Sequence, residues 1–225
     1  YRNDPVKINV PPNLPGVING KIAASGDGIA CLAFDSEGRA IGYQIRLENV
    51  TDSKYRWAKG LTSSHLADGE LPITVIPNGK DNGQVWLSEG ILKPFVAAHK
   101  HGLNAIGAAG GHFSGAANQV RNAIRPYRQL ILCPDAGDIN NHHVMLRWEK
   151  QINFLQSLGK SVLIAWWGQK TKNHDDIDER QPKAYPSKPL KVIPCIFFFV
   201  VWYDSIFIEE CCNPNDTTVD CRWKQ

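Results

Sequence analysis

The pattern of hydrophobic and polar positions changes near residue 85, which divides the chain into parts of different character. Before this point, short apolar runs are separated by polar segments. The runs Ile29–Phe34 and Ala40–Leu47 flank a glycine-containing polar turn, an arrangement typical of a β-hairpin. Together with a third run, Tyr55–Ala58, they predict a small antiparallel sheet. One further short strand is expected at Ile73–Ile76, within a segment rich in loop-forming residues.

From residue 85 onward, apolar runs of strand length alternate with segments of helix length. The predicted strands are Val85–Leu87, Ala105–Ala108, Leu130–Cys133 and Ser161–Trp167, and the predicted helices lie near residues 91–101, 115–125 and 143–158. In the last helix, apolar residues recur every three or four positions, as on one buried face. Strands that alternate with helices of this length favour a parallel sheet with right-handed crossovers.

The two ends of the chain lack this regular alternation. Residues 1–20 hold four prolines and are expected to form an extended lead-in segment. The end of the chain, rich in proline and cysteine, is expected to be an irregular tail. The predicted organisation is therefore a lead-in over 1–20, a small β-subdomain over 21–84, an α/β domain over 85–180 and a tail over 181–225.

Composition places few further limits on the class of protein and its partners. Of the 225 residues, 43% are hydrophobic and 21% are charged, as in ordinary globular proteins, and the formal charge of +3 permits a nucleic-acid partner without indicating one. No stretch resembles a signal peptide or is long enough to span a membrane, so we expect a cytoplasmic protein without a membrane partner. The sequence has no CxxC pair, so a zinc site is not expected and the thiols should be reduced.

Acidic residues follow three of the predicted parallel strands. Glu89 follows the first strand, Asp135 and Asp138 follow the third, and Asp176 and Asp178 come after the fourth. Because ligands bind at the carboxyl ends of parallel strands, we expect these side chains to share one edge of the sheet. Clustered carboxylates repel one another unless a cation or protons neutralise them, and oxygen ligands of this kind suit Mg²⁺ or Mn²⁺. The alternative is that these are exposed acids in turns that cap helices.

The order of these motifs resembles the Toprim domain. The sequence has strand–Glu89–Gly90–helix, then a strand with a glycine turn, then strand–Asp135–x–x–Asp138–helix, then a strand before Asp176–x–Asp178. Toprim domains occur in bacterial replicative primases, in type IA and type II topoisomerases and in certain nucleases. The resemblance implies an α/β fold with a Toprim (Rossmann-like) parallel sheet flanked by helices, preceded by a small antiparallel β-subdomain.

The segment before residue 85 makes the resemblance more specific. Residues 34–46, with the turn Asp35–Ser36–Glu37–Gly38–Arg39 and a following Arg46, are similar to the primase segment that precedes the Toprim fold. Ser53–Lys54–Tyr55 is similar to the Pro-Lys-Tyr of that segment. The arrangement, over about residues 28–180, also resembles the primase-like domain of unknown function in cyanobacterial plasmid replication proteins.

The resemblance implies a role for each matching residue. Glu89 and Asp135 would be catalytic, and the metal would be held by Asp135, Asp138, Asp176 and Asp178. The family pattern is Asp-x-Asp, whereas here Gly137 stands at the second acidic position and the carboxylate is displaced to Asp138. This departure is compatible either with a shifted metal ligand or with lost catalysis.

Basic residues supply candidate contacts to nucleic acid or nucleotide. Arg46 and Lys54 match family positions that face template or nucleotide, and Arg56 lies in a segment that mixes basic and aromatic residues, as single-strand binding grooves do. An ordinary strand with outward charges would give the same pattern. Lys93 is a candidate phosphate contact or a plain surface lysine. The glycine-rich stretch 107–111 fits a tight turn better than a dinucleotide-binding loop.

The resemblance implies primase-like nucleotidyl transfer in DNA replication, of a plasmid or mobile element, with Mg²⁺ (or Mn²⁺) as cofactor. The expected partners are single-stranded DNA, nucleoside triphosphates and a helicase domain or subunit. One alternative is a Toprim nuclease that cleaves phosphodiesters with the same metal. Another, motivated by Gly137, is a catalytically silent nucleic-acid-binding module of a replication protein. A small-molecule-binding α/β domain is the third.

Overall fold

The computed structural model describes residues 17–19, 21–22, 27–49, 54–57, 66, 68–78, 83–180 and 191–194. The strands in these ranges are β1 (Val17–Ile18), β2 (Lys21–Ile22), β3 (Gly28–Phe34), β4 (Ala40–Leu47), β5 (Tyr55–Trp57), β6 (Thr74–Ile76), β7 (Gln84–Glu89), β8 (Ala105–Ala108), β9 (Gln129–Cys133), β10 (Ser161–Trp166) and β11 (Lys191–Pro194). The helices are α1 (Leu92–His101), α2 (Ala117–Ala123) and α3 (His142–Ser157).

The larger sheet has six strands in the order β11-β10-β9-β7-β8-β6. The four inner strands β10, β9, β7 and β8 are parallel to one another, as predicted. They carry near-continuous apolar runs because both faces of a parallel sheet are covered. Strands β6 and β11 pair antiparallel at the two edges.

The helices cover opposite faces of this sheet. Side chains at alternate positions, such as Val85 and Leu130, pack into the main core with α2 and α3, where Trp148 is almost fully buried. The intervening positions, such as Trp86 and Ile131, pack on the other face with residues of α1 and of the loop after β10. This confirms the predicted fold class, a parallel sheet flanked by helices.

The helix boundaries have local causes. In α1, Pro94 lies in the first turn, where its missing N–H leaves no hydrogen bond unmade, and Gly102 ends the helix in the left-handed conformation with φ 65°. Helix α2 is shorter than predicted because the residues before it form two 3₁₀ turns, Ala109–Gly111 and Phe113–Ala116. In α3, the Asn141 side chain caps the helix by accepting hydrogen bonds from the backbone of His143 and Val144.

The smaller antiparallel sheet has the order β3-β4-β5 and stands before the large sheet in the chain, as predicted. Its hairpin turn is held by Asp35, whose carboxylate accepts hydrogen bonds from the backbone N–H groups of Glu37 and Arg39, both at 2.9 Å. The two sheets are joined directly. The backbone N–H of Phe34 donates to Thr74 Oγ1 at 3.2 Å, and Ala33 packs against Ile91 at the start of α1.

Two strands pair in ways that the sequence did not predict. Strand β6 lies in the range assigned to the β-subdomain, yet it pairs with β8 of the large sheet. Strand β11 lies in the tail expected to be irregular, yet it pairs with β10. The division into domains stays a prediction. Positions 53, 58–59, most of the lead-in and the tail beyond residue 194 lie outside the described residues.

Candidate functional site

The predicted acids lie at one edge of the large sheet. Glu89 is the last residue of β7, Asp135 follows β9 after one proline, and Asp176 lies in the loop after β10. Since these three strands are parallel, their carboxyl ends point the same way. Two of these three acids contact the same lysine side chain. Lys93 Nζ lies 2.6 Å from Asp135 Oδ2 and 2.8 Å from Asp176 Oδ2.

The ammonium group of Lys93 is therefore central to the site. It reaches the carboxylates from the first turn of α1, and the side chains of Lys93, Asp135 and Asp176 are only 17%, 20% and 24% exposed. Burial opposes the charge on Lys93, but the carboxylates of Asp135 and Asp176 outweigh it and raise the pKa of the lysine. The lysine therefore stays positively charged at neutral pH.

The pKa of Asp135 is also raised, but in a carboxyl group this shift disfavours the charged form. Burial raises the pKa of its carboxyl to about 6, although the charge and hydrogen bond of Lys93 pull it down, because the charges of Asp176 and Asp138 add to the effect of burial. Its second oxygen, Oδ1, is buried and has no hydrogen-bond partner. The single positive charge of Lys93 therefore cannot neutralise all of the carboxylates around it.

The acidic loop after β10 is hydrogen-bonded to lysines near both ends of α1. Lys93 holds Asp176 at one end, and at the other end Lys100 Nζ donates to the backbone carbonyls of Asp178 (2.9 Å) and Glu179 (2.7 Å). The Asp178 carboxyl has its pKa raised by burial, and its Oδ1 is also buried without a partner. The residue after Asp135 is also linked to Asp176: the backbone N–H of Ala136 donates to Asp176 Oδ1 at 2.6 Å.

Asp138 is turned away from this cluster. Gly137, with φ 81°, sends the chain into a 3₁₀ turn, and Asp138 becomes buried. Its Oδ2 accepts hydrogen bonds from the backbone N–H of Asp135 and from the indole N–H of Trp148, both at 2.9 Å. Its other oxygen, Oδ1, lies 3.6 Å from Lys172 Nζ. Asp138 therefore positions the backbone of Asp135, and its role as a metal ligand stays a prediction.

Glu89 is not part of the lysine-centred cluster. Its ion pair is with Arg147 of α3, at 3.5 Å between Oε2 and Nη2, and both side chains are more than a third exposed. The Nε of Arg147 is buried without a hydrogen-bond partner. Sequence reasoning missed Arg147, because nothing in the helix pattern distinguishes it from a surface arginine. The structure thus shows two adjacent charged groups at the sheet edge, one around Lys93 and one at Glu89.

The residues of the lysine-centred cluster fit a hard divalent cation in part. Asp135 and Asp176 already bind a single cationic group between them, and the partnerless oxygens of Asp135 and Asp178 are donors of the kind that Mg²⁺ prefers. Within the described ranges, however, no three His, Cys, Asp or Glu side chains are placed to hold a metal together. A divalent ion would therefore rely on two carboxylates, with water and phosphate oxygens as further ligands.

The predicted basic residues divide between two directions. On the small sheet, Ile29, Arg46 and Tyr55 are aligned across the three strands and all are exposed; we call them the exposed row. Arg56 follows Tyr55 on β5 and therefore faces the opposite side, and Lys54 is exposed just before the strand. Burial raises the pKa of Tyr55, and the charges of Arg46, Lys93 and Asp178 also act on it, so the exposed row lies close to the cluster.

The glycine-rich stretch after β8 is a tight turn, as expected. Gly110 and Gly111 have positive φ angles, 60° and 65°. A side chain at Gly107 would collide with the backbone oxygen of Gly90 and with Pro94, so this glycine allows β8 to pack against the start of α1. The stretch therefore helps to place Lys93.

The fold is similar to that of solved primase structures. No model of a known protein family matches the sequence, and no curated protein matches it. Among solved structures, the chain is similar to the zinc-binding and RNA polymerase domains of the Aquifex aeolicus primase, with a TM-score of 0.52 and 18% identity, over 68% of this chain and 36% of that one. It is also similar to the DnaG primase catalytic domain bound to single-stranded DNA, with a TM-score of 0.52 and 14% identity, over 76% of this chain and 53% of that one.

These likenesses show a shared fold. The chain spans 36% and 53% of the length of the two primase structures, so it corresponds to a part of each. No helix in the described part of the chain is long and apolar enough to cross a membrane.

Proposed function

We propose that this chain is a primase-type nucleotidyl transferase of DNA replication, which joins nucleotides on a single-stranded DNA template. The proposal rests on one observation above all. Asp135 and Asp176, from the ends of two strands, meet at a single cation-binding position, beside an exposed and partly basic surface on the small sheet. The shared primase fold supports it.

In this proposal, Asp135 and Asp176 hold Mg²⁺ or Mn²⁺, and Asp178 is close enough in the chain to contribute its partnerless oxygen. When bound, the divalent ion would neutralise the charge that develops on the phosphoryl group during transfer. Lys93 supplies a second positive charge that can contact the phosphates. Glu89, half-exposed at the end of β7, accepts the proton of the attacking hydroxyl, and Arg147 orients it.

The exposed row gives the template a place to bind. Tyr55 presents an aromatic ring on which a base can stack, and Arg46 beside it can pair with a phosphate. Lys54 and Arg56 point elsewhere and would contact the backbone of a longer strand. The cytoplasmic location, the plasmid or mobile-element context and the helicase partner belong to the proposal as well. The location rests on the sequence pattern, and the other two rest on the sequence resemblance.

A primer-synthesis assay tests the proposal. The protein would be incubated with single-stranded DNA, labelled nucleoside triphosphates and Mg²⁺ or Mn²⁺, and extended products would be resolved by length. We expect Glu89→Ala and Asp135→Ala each to reduce synthesis to background, whereas Glu48→Ala, a change at an exposed acid of the small sheet, leaves it intact. Full synthesis by Asp135→Ala would refute the site assignment. Metal-dependent degradation of the DNA without incorporation would instead identify a nuclease.

A second candidate function is supported by a specific observation. Lys93 already neutralises part of the carboxylate pair, and Asp138 is turned into the protein, so the site resembles one that has lost its metal. A catalytically silent module that binds single-stranded DNA has this appearance. Single-strand binding that is unaffected by Mg²⁺ or Mn²⁺, together with no turnover, would favour this candidate over the transferase.

A further inference from the structure

Lys93 occupies the place where a cation shared by Asp135 and Asp176 would bind. Its Nζ lies within 2.8 Å of one oxygen from each carboxylate. Its backbone is fixed, because Ile91 before it is 1% exposed and Pro94 after it is buried against the glycine of β8. Only the flexible four-carbon side chain is free to move, which is the property that a displaceable group needs.

The single positive charge of Lys93 faces several carboxylates. The carboxylates of Asp135, Asp176 and Asp178 all act on the single ammonium, and an oxygen of Asp135 and one of Asp178 stay buried without partners. The ammonium group has three N–H donors, and Asp135 and Asp176 account for two. It can therefore hold both carboxylates and still bind, or move towards, an incoming anion.

An ammonium and a divalent ion cannot share this position. Mg²⁺ requires oxygen ligands at about 2.0–2.1 Å, and a lysine nitrogen already in contact with the same two carboxylate oxygens excludes it both by volume and by charge repulsion. A triphosphate changes this balance because it brings enough negative charge to bind the ammonium and the metal together.

We propose that Lys93 is a built-in cation that holds the place of a divalent ion between Asp135 and Asp176 until a triphosphate binds. On binding, the ammonium would move from the carboxylates to a phosphate oxygen, which would leave Asp135 and Asp176 free to hold a divalent ion. Metal and triphosphate are then bound cooperatively, and each strengthens the binding of the other to the same extent. This inference rests on the proposed function for the identity of the anion, and it assigns Lys93 the control of metal access to that site.

The test measures Mn²⁺ binding to the full chain without nucleotide, from the electron paramagnetic resonance signal of the free ion. We expect Lys93→Met to bind Mn²⁺ at least tenfold more tightly than the wild type, because the competing ammonium is gone. Lys93→Arg keeps the charge and should bind as weakly as the wild type. The matched control is Lys150→Met, which removes the same charge from an exposed position of α3. It should leave Mn²⁺ binding unchanged.

A second comparison locates the effect. The gain should disappear in the double variant Lys93→Met/Asp176→Asn, because one of the two carboxylates is then missing. If Lys93→Met is partly unfolded at the assay temperature, its melting temperature is measured with and without Mn²⁺, since an ion that binds only the folded protein raises it. We expect a rise of several degrees for Lys93→Met and none for the wild type.

Three results would overturn the inference: equal Mn²⁺ affinity in Lys93→Met and wild type, an equal gain in Lys150→Met, or a gain that survives in the double variant. Adding a non-hydrolysable ATP analogue to the wild type should lower the free Mn²⁺ signal by more than the analogue alone and the protein alone lower it together. Failure of the proposed function would look different. It would appear as absent primer synthesis with the gain of Lys93→Met intact, whereas failure of this inference would leave primer synthesis intact and abolish the gain.

Discussion

The indole N–H of Trp148 donates a hydrogen bond to Asp138 Oδ2 at 2.9 Å, inside the main core of the large sheet. The same carboxylate oxygen accepts the backbone N–H of Asp135 at 2.9 Å. Through this shared oxygen, the first half of α3 determines where the chain turns after β9. The position of Asp135 at the site is therefore set by a buried pair that never faces the ligand.

Replacement of Asp138 by alanine should destabilise the fold. The change leaves the indole N–H of Trp148 and the backbone N–H of Asp135 without their acceptor, and a buried unsatisfied donor costs about 1–3 kcal/mol. Urea unfolding followed by tryptophan fluorescence measures the loss. Asp27→Asn, at an exposed acid, should change the free energy of unfolding little. Unchanged stability of Asp138→Ala would mean that the hydrogen bonds are not formed in solution.

Much of the fold follows from local pattern. The apolar runs at Val85–Leu87 and Leu130–Cys133, with helices between them, predicted the parallel core, and the helix predicted near residues 91–101 matches α1. These features depend on residues close together in sequence. The edge strands β6 and β11 were not placed, because three or four apolar residues carry no signal that selects a partner strand.

The candidate site was predicted less completely, for a related reason. Asp135 and Asp176 were predicted from their positions after the ends of strands. The contact of Lys93 with Asp176 was not predicted, because it joins residues 83 positions apart and depends on how α1 packs. The inward turn of Asp138 depends on the positive φ of Gly137, and Arg147 has no distinguishing neighbours in the sequence. Side-chain direction at the end of a turn is a tertiary property, so pattern alone could not supply it.

Asp135→Asn should alter the dependence of stability on pH. The pKa of Asp135 is raised to about 6 in the folded protein from an ordinary value near 3.8, so the folded state binds the proton more tightly than the unfolded state. Its contribution is thus fully present below about pH 4 and is lost as pH rises through about 6. We expect the difference in unfolding free energy, Asp135→Asn minus wild type, to increase by about 2–3 kcal/mol between pH 4 and pH 7.

Chemical denaturation at several pH values measures this difference. Asp27→Asn provides the baseline, because it makes the same substitution at an exposed acid. A flat difference for Asp135→Asn as well would show that the carboxyl titrates normally and that its burial beside Lys93 does not persist in solution.

Lys100→Met should loosen the acidic loop without unfolding the protein. This change removes the two hydrogen bonds from Lys100 Nζ to the carbonyls of Asp178 and Glu179. The free energy of unfolding is expected to fall by about 1 kcal/mol. Amide hydrogen exchange at residues 175–180 should become faster, while exchange in the inner strands stays unchanged. Equal exchange rates in Lys100→Met and in Lys150→Met would argue against the role of α1 in holding this loop.

Arg147→Ala should separate catalysis from stability. The pair with Glu89 is more than a third exposed, so its contribution to stability is small, about 0–1 kcal/mol. If Arg147 orients Glu89 for proton transfer, primer synthesis should fall by about tenfold, which is less than the roughly 10²–10⁴-fold that a general base itself contributes. Arg147→Lys should recover part of the activity. Loss of stability in proportion to activity would instead indicate that Arg147 acts through the fold.

Tyr55→Ala should weaken the binding of single-stranded DNA. Tyr55 is 44% exposed, lies opposite Arg46 on the neighbouring strand and is close to the charged cluster, so its ring can stack on a base at the site. Such stacking contributes about 1–3 kcal/mol per base, which corresponds to a loss of roughly five- to 150-fold in affinity. Tyr55→Phe keeps the ring and should bind nearly as the wild type does. Fluorescence anisotropy of a labelled oligonucleotide measures the affinities. In the same assay, Arg46→Ala should reduce the dependence of binding on salt, because a phosphate contact is lost. Equal binding by the alanine and phenylalanine variants would remove Tyr55 from the interface and leave the exposed row with an electrostatic role alone.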